Sequence, residues 1–302
     1  PGPTNLPESV RRAIDLPTID HRSPAFAEAM PKLFAGLKSI FATKSPHIFV
    51  FPATGTGGWE ATIANTLSPG DKVLACRHGV FSDKWIRMCE AFGLVVDVIE
   101  CDWRGPADPA LIEAALLADQ NQAIKAVLAT HNETATGVRS DLKAIRESID
   151  RAGHSALFFV DGVSSIASMD FQMDAWGIDA AVTGSQKGFM MPAGLAIVAV
   201  SEKAIDAGKT ATLPRLFFDV KQMGQMTHQG GFPYTPPMQL LAGLRHSIDL
   251  LLSEGLDEVF SRHFKMGEGV RQAVSAWNLS LCWEDLQYAS DTVTTIMVPE
   301  GF

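Results

Sequence analysis

An α/β fold with a mostly parallel sheet and helices on both faces is predicted by two observations. Short apolar runs of strand length alternate with longer, helix-like segments from about residue 47 to residue 200. Glycine, polar and charged residues cluster just after those runs, where ligands bind in folds of this kind.

Helices are expected around Glu8 to Ile14 and over Phe26 to Phe41, separated by the polar, turn-like Thr18 to Pro24. His47 to Phe51 is the first strand. Ala53-Thr-Gly-Thr-Gly-Gly-Trp59 then stands ahead of a helix-like segment from Glu60 to Leu67. A glycine-rich turn opening a helix offers unpaired backbone N–H groups and the positive end of the helix dipole, a seat for phosphate, although a plain tight turn fits these residues as well. Strands are expected at Lys72 to Ala75, Leu94 to Ile99, Ile124 to Thr130, Ala156 to Val160, Ile178 to Val182 and Leu195 to Val200. Helices at Ser82 to Phe92, Pro109 to Ala118 and Ser140 to Ala152 lie between them. No internal repeat or low-complexity segment interrupts the pattern.

The last buried run but one carries the feature that needs explaining. Thr183-Gly184-Ser185 ends it with small residues, and Lys187 stands next, between Gln186 and Gly188. A lysine desolvated in such surroundings loses its proton readily, and a neutral amine condenses with an aldehyde to a Schiff base. The bland alternative is a loop lysine whose ammonium reaches water.

Composition narrows the function. A length of 302 residues suits one large domain and part of another. No stretch reaches the roughly 18 uninterrupted apolar residues of a spanning helix, and no signal-peptide pattern opens the chain. It begins on Pro1-Gly2-Pro3 without methionine, so the natural start is expected upstream. The net charge of −9 argues against nucleic acid and anionic membrane as partners. Four scattered cysteines without a Cys-x-x-Cys pair suit reduced thiols in the cytoplasm. No His/Cys cluster suggests a metal. The dinucleotide fingerprint fails because Glu60 takes the place of its last glycine, and Ala207 to Thr210 is not a P-loop because Lys203 stands where its first glycine belongs.

One cofactor fits the residues that gather at the strand ends. Pyridoxal phosphate needs a lysine for its aldehyde, backbone N–H groups at a helix start for its phosphate, a carboxylate for its pyridine nitrogen and an aromatic face against its ring. Lys187, Thr56-Gly57-Gly58, Asp161 and Phe81 fill those roles. Asp161 as the cap of a turn and Phe81 as core are the alternatives for single residues.

The stretches Thr54-Gly-Thr-Gly-Gly58, Thr130-His-Asn-Glu-Thr-Ala-Thr-Gly137, Val160-Asp-Gly-Val-Ser-Ser165, Gly184-Ser-Gln-Lys-Gly188 and Pro233-Tyr-Thr-Pro-Pro237 closely resemble the class V aminotransferases, within them the serine–glyoxylate and alanine–glyoxylate group. The resemblance covers nearly the whole chain. It implies the type I aminotransferase fold, with a large cofactor-binding domain over residues 15–245. A small α+β domain from residues 1–14 and 246–302 is expected to be incomplete at its C-terminal end. It also implies a homodimer with shared sites. Lys187 matches the Schiff-base lysine and Asp161 the partner of the pyridine nitrogen; Thr134 matches a hydroxyl near the phenolic oxygen, and Val163 lies under the ring. Phe81 falls at the stacking aromatic. Thr56, Gly57, Gly58 and Gln186 match phosphate contacts, and Thr235 matches one reaching in from the other subunit. Phe232 falls where some relatives have a phosphate-binding tyrosine. The arginine that holds the substrate carboxylate in the family is expected beyond residue 302, since neither Arg262 nor Arg271 matches it. The implied reaction is ping-pong transfer of an amino group from serine to glyoxylate, with aspartate as the alternative donor. Two other readings are a pyridoxal phosphate lyase or desulfurase on the same scaffold, and a non-catalytic cofactor-binding assembly protein.

Overall fold

The computed structural model describes residues 2–299 and residue 301. Two helices come first, α1 (Glu8–Ile14) and α2 (Pro24–Phe41). After them come β1 (Ile48–Phe51), α3 (Gly55–Thr66), β2 (Lys72–Arg77), α4 (Val80–Ala91), β3 (Val95–Glu100), α5 (Pro109–Ala118) and β4 (Ile124–Thr130). A short hairpin, β5 (Asn132–Glu133) and β6 (Val138–Arg139), leads into α6 (Leu142–Arg151). Beyond it lie β7 (Leu157–Asp161), β8 (Ala180–Gly184), β9 (Ala196–Val200), α7 (Glu202–Ala207), α8 (Val220–His228), α9 (Met238–Glu254) and α10 (Leu256–Ala276).

Local chemistry sets several of these boundaries. Ser23 caps α2 by accepting from the Phe26 N–H at 3.3 Å, and Pro24 takes the first helical position, where its missing N–H costs nothing. Asp108 and Pro109 do the same for α5, so that helix begins where the sequence places it. Buried strands read as continuous apolar runs because helices cover both faces of the sheet; Phe158, Phe159, Val160, Ala181 and Val182 are all sealed from water.

Seven strands form one sheet in the order β1-β9-β8-β7-β4-β2-β3. Strands β8, β7, β4, β2 and β3 pair in parallel, β9 is antiparallel to β8, and β1 is antiparallel to β9. Of the seven, β9 alone is therefore reversed, and the predicted mostly parallel sheet is what forms. The other strands end at one edge: Phe51 and Gly184 both face Ala196, Asp161 faces Val182, and Thr130 faces Asp161.

Besides shifts of strand and helix ends such as β2 running on to Arg77 and α2 starting at Pro24, three differences from the sequence expectation bear on the site. Helix α3 starts at Gly55 instead of Glu60, so the glycines form its first turn rather than a loop ahead of it. Strand β8 runs on to Gly184 instead of stopping at Val182, because Thr183 and Gly184 complete the ladder with Ile197 and Ala196. The hairpin of β5 and β6 has no counterpart in the apolar pattern; it is closed by backbone pairing between Asn132–Glu133 and Val138–Arg139. At the other end of the chain, α9 packs on α1 and α2. Arg262 and Arg271 lie on α10, Arg262 paired with Glu254 and Arg271 buried against the Ser290 carbonyl and Glu268.

Candidate active site

The parallel ladder fixes the floor of the site. Asp161 ends β7, buried, between the end of β4 and the middle of β8. Its backbone carbonyl accepts from His131 N–H at 3.0 Å, and its Oδ1 accepts from Val163 N–H at 2.9 Å. That bond folds the chain so that Val163 lies against the start of α3: a Cβ on Gly55 would sit 2.4 Å from Val163 Cγ2. Burial raises the Asp161 carboxyl from 3.8 to about 7; the Val163 N–H, the Trp59 indole and Lys187 pull it down, while the neighbouring Glu133 pushes it further up.

Lys187 stands on the loop after β8, half-buried. Burial lowers its pKa below the ordinary lysine value, with the Asp161 charge opposing. The start of the chain crosses this loop: Thr4 N–H donates to the Gln186 carbonyl at 3.1 Å, Thr4 Oγ1 to the Lys187 carbonyl at 3.3 Å, and Lys187 Nζ to the Gly2 carbonyl at 3.4 Å. Gln186 Oε1 is buried without a hydrogen-bond partner among the described residues.

The start of α3 supplies the complementary charge. No side chain caps it; the Thr54 hydroxyl makes no cap bond. Its free N–H groups and positive dipole end are therefore open to an anion. Thr56 and Gly57 lie in that first turn. Gly58 lets the helix sit directly on the sheet, since a Cβ there would be 2.4 Å from Val182 Cγ1. Phe81 is half-buried in the first turn of α4, and Thr134 half-buried in the hairpin after β4. Thr235 stands apart. It is exposed in the loop between α8 and α9, and its hydroxyl bonds to none of the other residues named here. Phe232 packs on Phe26 with ring centroids 6.1 Å apart and has no polar atom to offer.

Two residues escape a reading of the sequence. Trp59 stacks on Trp85 at 5.5 Å and 16°, and its indole N–H, which makes no ordinary hydrogen bond, lies close enough to Asp161 to stabilise the carboxylate charge. Glu133 is wholly buried beside the same carboxylate. The only sign of it in the sequence is a glutamate amid small polar residues. Among the described residues, no three His, Cys, Asp or Glu side chains come together as metal ligands.

A softened amine, a buried acid and an uncapped helix start at one sheet edge suit pyridoxal phosphate: the first-turn N–H groups of α3 have no side-chain cap that a phosphate must displace, and the acid has one backbone N–H partner and a surplus of desolvation that a cationic ring nitrogen relieves. The fold is that of the enzymes that use this cofactor. More narrowly, the chain belongs to the class V aminotransferases, whose family profile matches residues 12–299, and it is a pyridoxal-phosphate-dependent aminotransferase. It is 55% identical over 302 residues to L-aspartate–glyoxylate aminotransferase of Paracoccus denitrificans, a match that takes in 100% of this chain and 76% of that protein. It is 52% identical over 304 residues to serine–glyoxylate aminotransferase of Hyphomicrobium methylovorum, with 100% and 75% covered. In three dimensions it superposes on alanine–glyoxylate aminotransferase from Nostoc with a TM-score of 0.93 at 30% identity, covering 100% of this chain and 79% of that one.

Proposed function

We propose that this aminotransferase moves the amino group of a small amino acid to glyoxylate, giving glycine and an oxo acid, with serine as donor. The observation that carries the proposal is the pairing of Lys187, its pKa lowered, with the buried Asp161 at the edge where α3 begins uncapped. Bound pyridoxal phosphate supplies an aldehyde that couples to amines and a protonated ring that withdraws electrons from the substrate's α-carbon. The chain's own groups do the rest. Asp161 holds a proton on the ring nitrogen by keeping a negative charge beside it. The first turn of α3, with Thr56, Gly57 and Gly58, binds the phosphate through N–H groups, and Gln186 adds a side-chain contact. Phe81 and Val163 flank the ring, and Thr134 offers a hydroxyl at its edge. Lys187 Nζ would hold the cofactor's aldehyde and, when free, would serve as the base that moves the substrate's α-proton. Burial favours that step by keeping a larger share of the amine neutral.

The exposed Thr235 belongs to the same proposal. It reaches the phosphate of a second copy, so the enzyme works as a homodimer with shared sites. Leu216 and Phe217 stand exposed in the segment before α8, and Phe217 stacks on Tyr234, the residue before Thr235. The division into a large domain of residues 15–245 and a small domain of 1–14 and 246–302 is part of the proposal, with α9 carrying the chain from one to the other. So is a place in the cytoplasm, which four free cysteines suit.

A second donor is favoured by one observation, the 55% identity to an enzyme named for aspartate. The half-reaction separates them. With cofactor bound and no acceptor, serine is expected to bleach the visible absorbance and glyoxylate to restore it. Bleaching by aspartate and not by serine would reassign the donor, and bleaching by neither would overturn the transaminase proposal for this chain.

A further inference from the structure

Helix α4 begins without a cap of its own. Gly79, the residue before it, has no side chain to cap with, and the first-turn N–H groups of Phe81 and Ser82 point at another element. There they meet Glu133. Phe81 N–H lies 3.2 Å and 3.1 Å from the two carboxylate oxygens, and Ser82 N–H donates to Oε2 at 3.0 Å. Ala135 N–H donates to Oε1 at 3.1 Å, which closes a tight loop around Thr134. Close approach is possible only because residue 79 is glycine: a Cβ there would lie 2.2 Å from Glu133 Cγ.

We propose that Glu133 is a positioning residue for the transamination: one buried carboxylate, bonded at once to the start of α4 and to the hairpin, fixes Phe81 and Thr134 relative to each other across the cofactor site. The inference rests on the assignment of Phe81 and Thr134 to the cofactor made above. A buried carboxylate is costly unless its oxygens are occupied by strong donors. Here the backbone N–H groups of Phe81, Ser82 and Ala135 do that at the positive end of α4, so the carboxyl group acts as a rigid staple. The backbone at Phe81 then cannot swing away from the hairpin without breaking its hydrogen bonds to Glu133. Ser82 adds a local brace, its hydroxyl donating to the Gly79 carbonyl at 2.9 Å and accepting from His78 N–H at 3.1 Å. The alternative is that Glu133 merely caps a helix and holds the fold together.

A double-mutant cycle distinguishes the two. Apoprotein is titrated with pyridoxal phosphate for Glu133→Gln, Phe81→Ala and both together, with quenching of tryptophan fluorescence as the signal. The amide keeps the shape of glutamate but turns an NH2 toward N–H donors. A positioning role predicts a loss of affinity of about tenfold for E133Q in the native background and less than about threefold beside F81A. Equal losses in the two backgrounds, or no loss in the first, overturn the proposal. Amide hydrogen exchange in the apoprotein gives a reading independent of cofactor: Phe81, Ser82 and Ala135 should lose protection in E133Q while the strands keep theirs. If E133Q does not fold, Glu133→Asp, which keeps the carboxyl group and shortens its reach by one methylene, takes its place in the same cycle. Failure of the cofactor assignment itself would look different, because F81A alone would then leave the affinity unchanged.

Discussion

Asp161 is where the site departs furthest from ordinary solution chemistry, and replacing it with asparagine tests the electrostatics directly. Below about pH 4 the carboxyl is protonated in folded and unfolded chains alike, so it contributes no difference. As pH rises the unfolded chain releases its proton first, near 3.8, while the folded apoprotein holds its own until about 7. Over that window Asp161 therefore works against folding. By linkage the penalty at pH 7 is about 4 kcal/mol. The amide of Asp161→Asn does not titrate, yet it can still accept the Val163 N–H. Urea unfolding of the two apoproteins, monitored by circular dichroism, is expected to give similar stabilities near pH 4. The gap in favour of the variant should widen by an amount of order 4 kcal/mol on the way to pH 7. If Asp161 is the partner of the ring nitrogen, as proposed, added pyridoxal phosphate should reverse the order, since ligand stabilises in proportion to its affinity and the variant lacks that charge. Parallel stability curves across that range would refute the claim that burial holds Asp161 neutral in the apoprotein.

Lys187→Ala is expected to leave no covalently attached cofactor after borohydride reduction, whereas the native protein should carry label on that lysine; label surviving the substitution would remove Lys187 from the centre of the site. Because burial lowers the Lys187 pKa, the native apoprotein should also couple to pyridoxal phosphate at pH values where ordinary surface lysines are unreactive, which a pH series of coupling rates measures. Gly58→Ala puts a Cβ 2.4 Å from Val182 Cγ1, and overpacking of that kind costs about 1–3 kcal/mol. The expected outcome is a drop in melting temperature with weaker phosphate binding, and an unchanged titration with pyridoxal phosphate would show that the start of α3 is not the phosphate seat.

The sheet was legible because all its strands but the edge strand β3 are largely buried on both faces. Runs such as Ile124 to Thr130 and Leu195 to Val200 are largely apolar, and Asp108-Pro109 marks a helix start by chemistry that acts within one turn. Lys187 and Asp161 were legible for a related reason: charge at the end of a buried run has few structural uses. The start of α3 was not. Glycine has poor helix propensity, so Gly55 to Gly58 reads as a turn, and only the packing of Gly58 on Val182 and Gly55 on Val163 makes helix the better state. Glu133 and Trp59 stayed hidden because their partners, Phe81 and Asp161, lie about fifty and a hundred residues away in the chain. Thr235 shows the opposite case. The resemblance places it on a phosphate, yet within one chain it is an exposed threonine in a loop.

The two ionisable groups at the centre are displaced in opposite directions, and one cause explains both. Burial disfavours charge of either sign, so it lifts Asp161 and depresses Lys187; each opposes the other's displacement without cancelling it. Had the two been close enough to form a full ion pair, both would have been driven toward their charged forms, leaving an ammonium that cannot attack an aldehyde. Separation across the site avoids that. A ligand cationic at one end and anionic at the other matches what is left: the cation restores the charge of Asp161, and the phosphate satisfies the bare start of α3. Pyridoxal phosphate has this polarity. Any group lacking either end would leave Asp161 or the helix start uncompensated, which is why the electrostatics of these residues argue for the cofactor that the family uses.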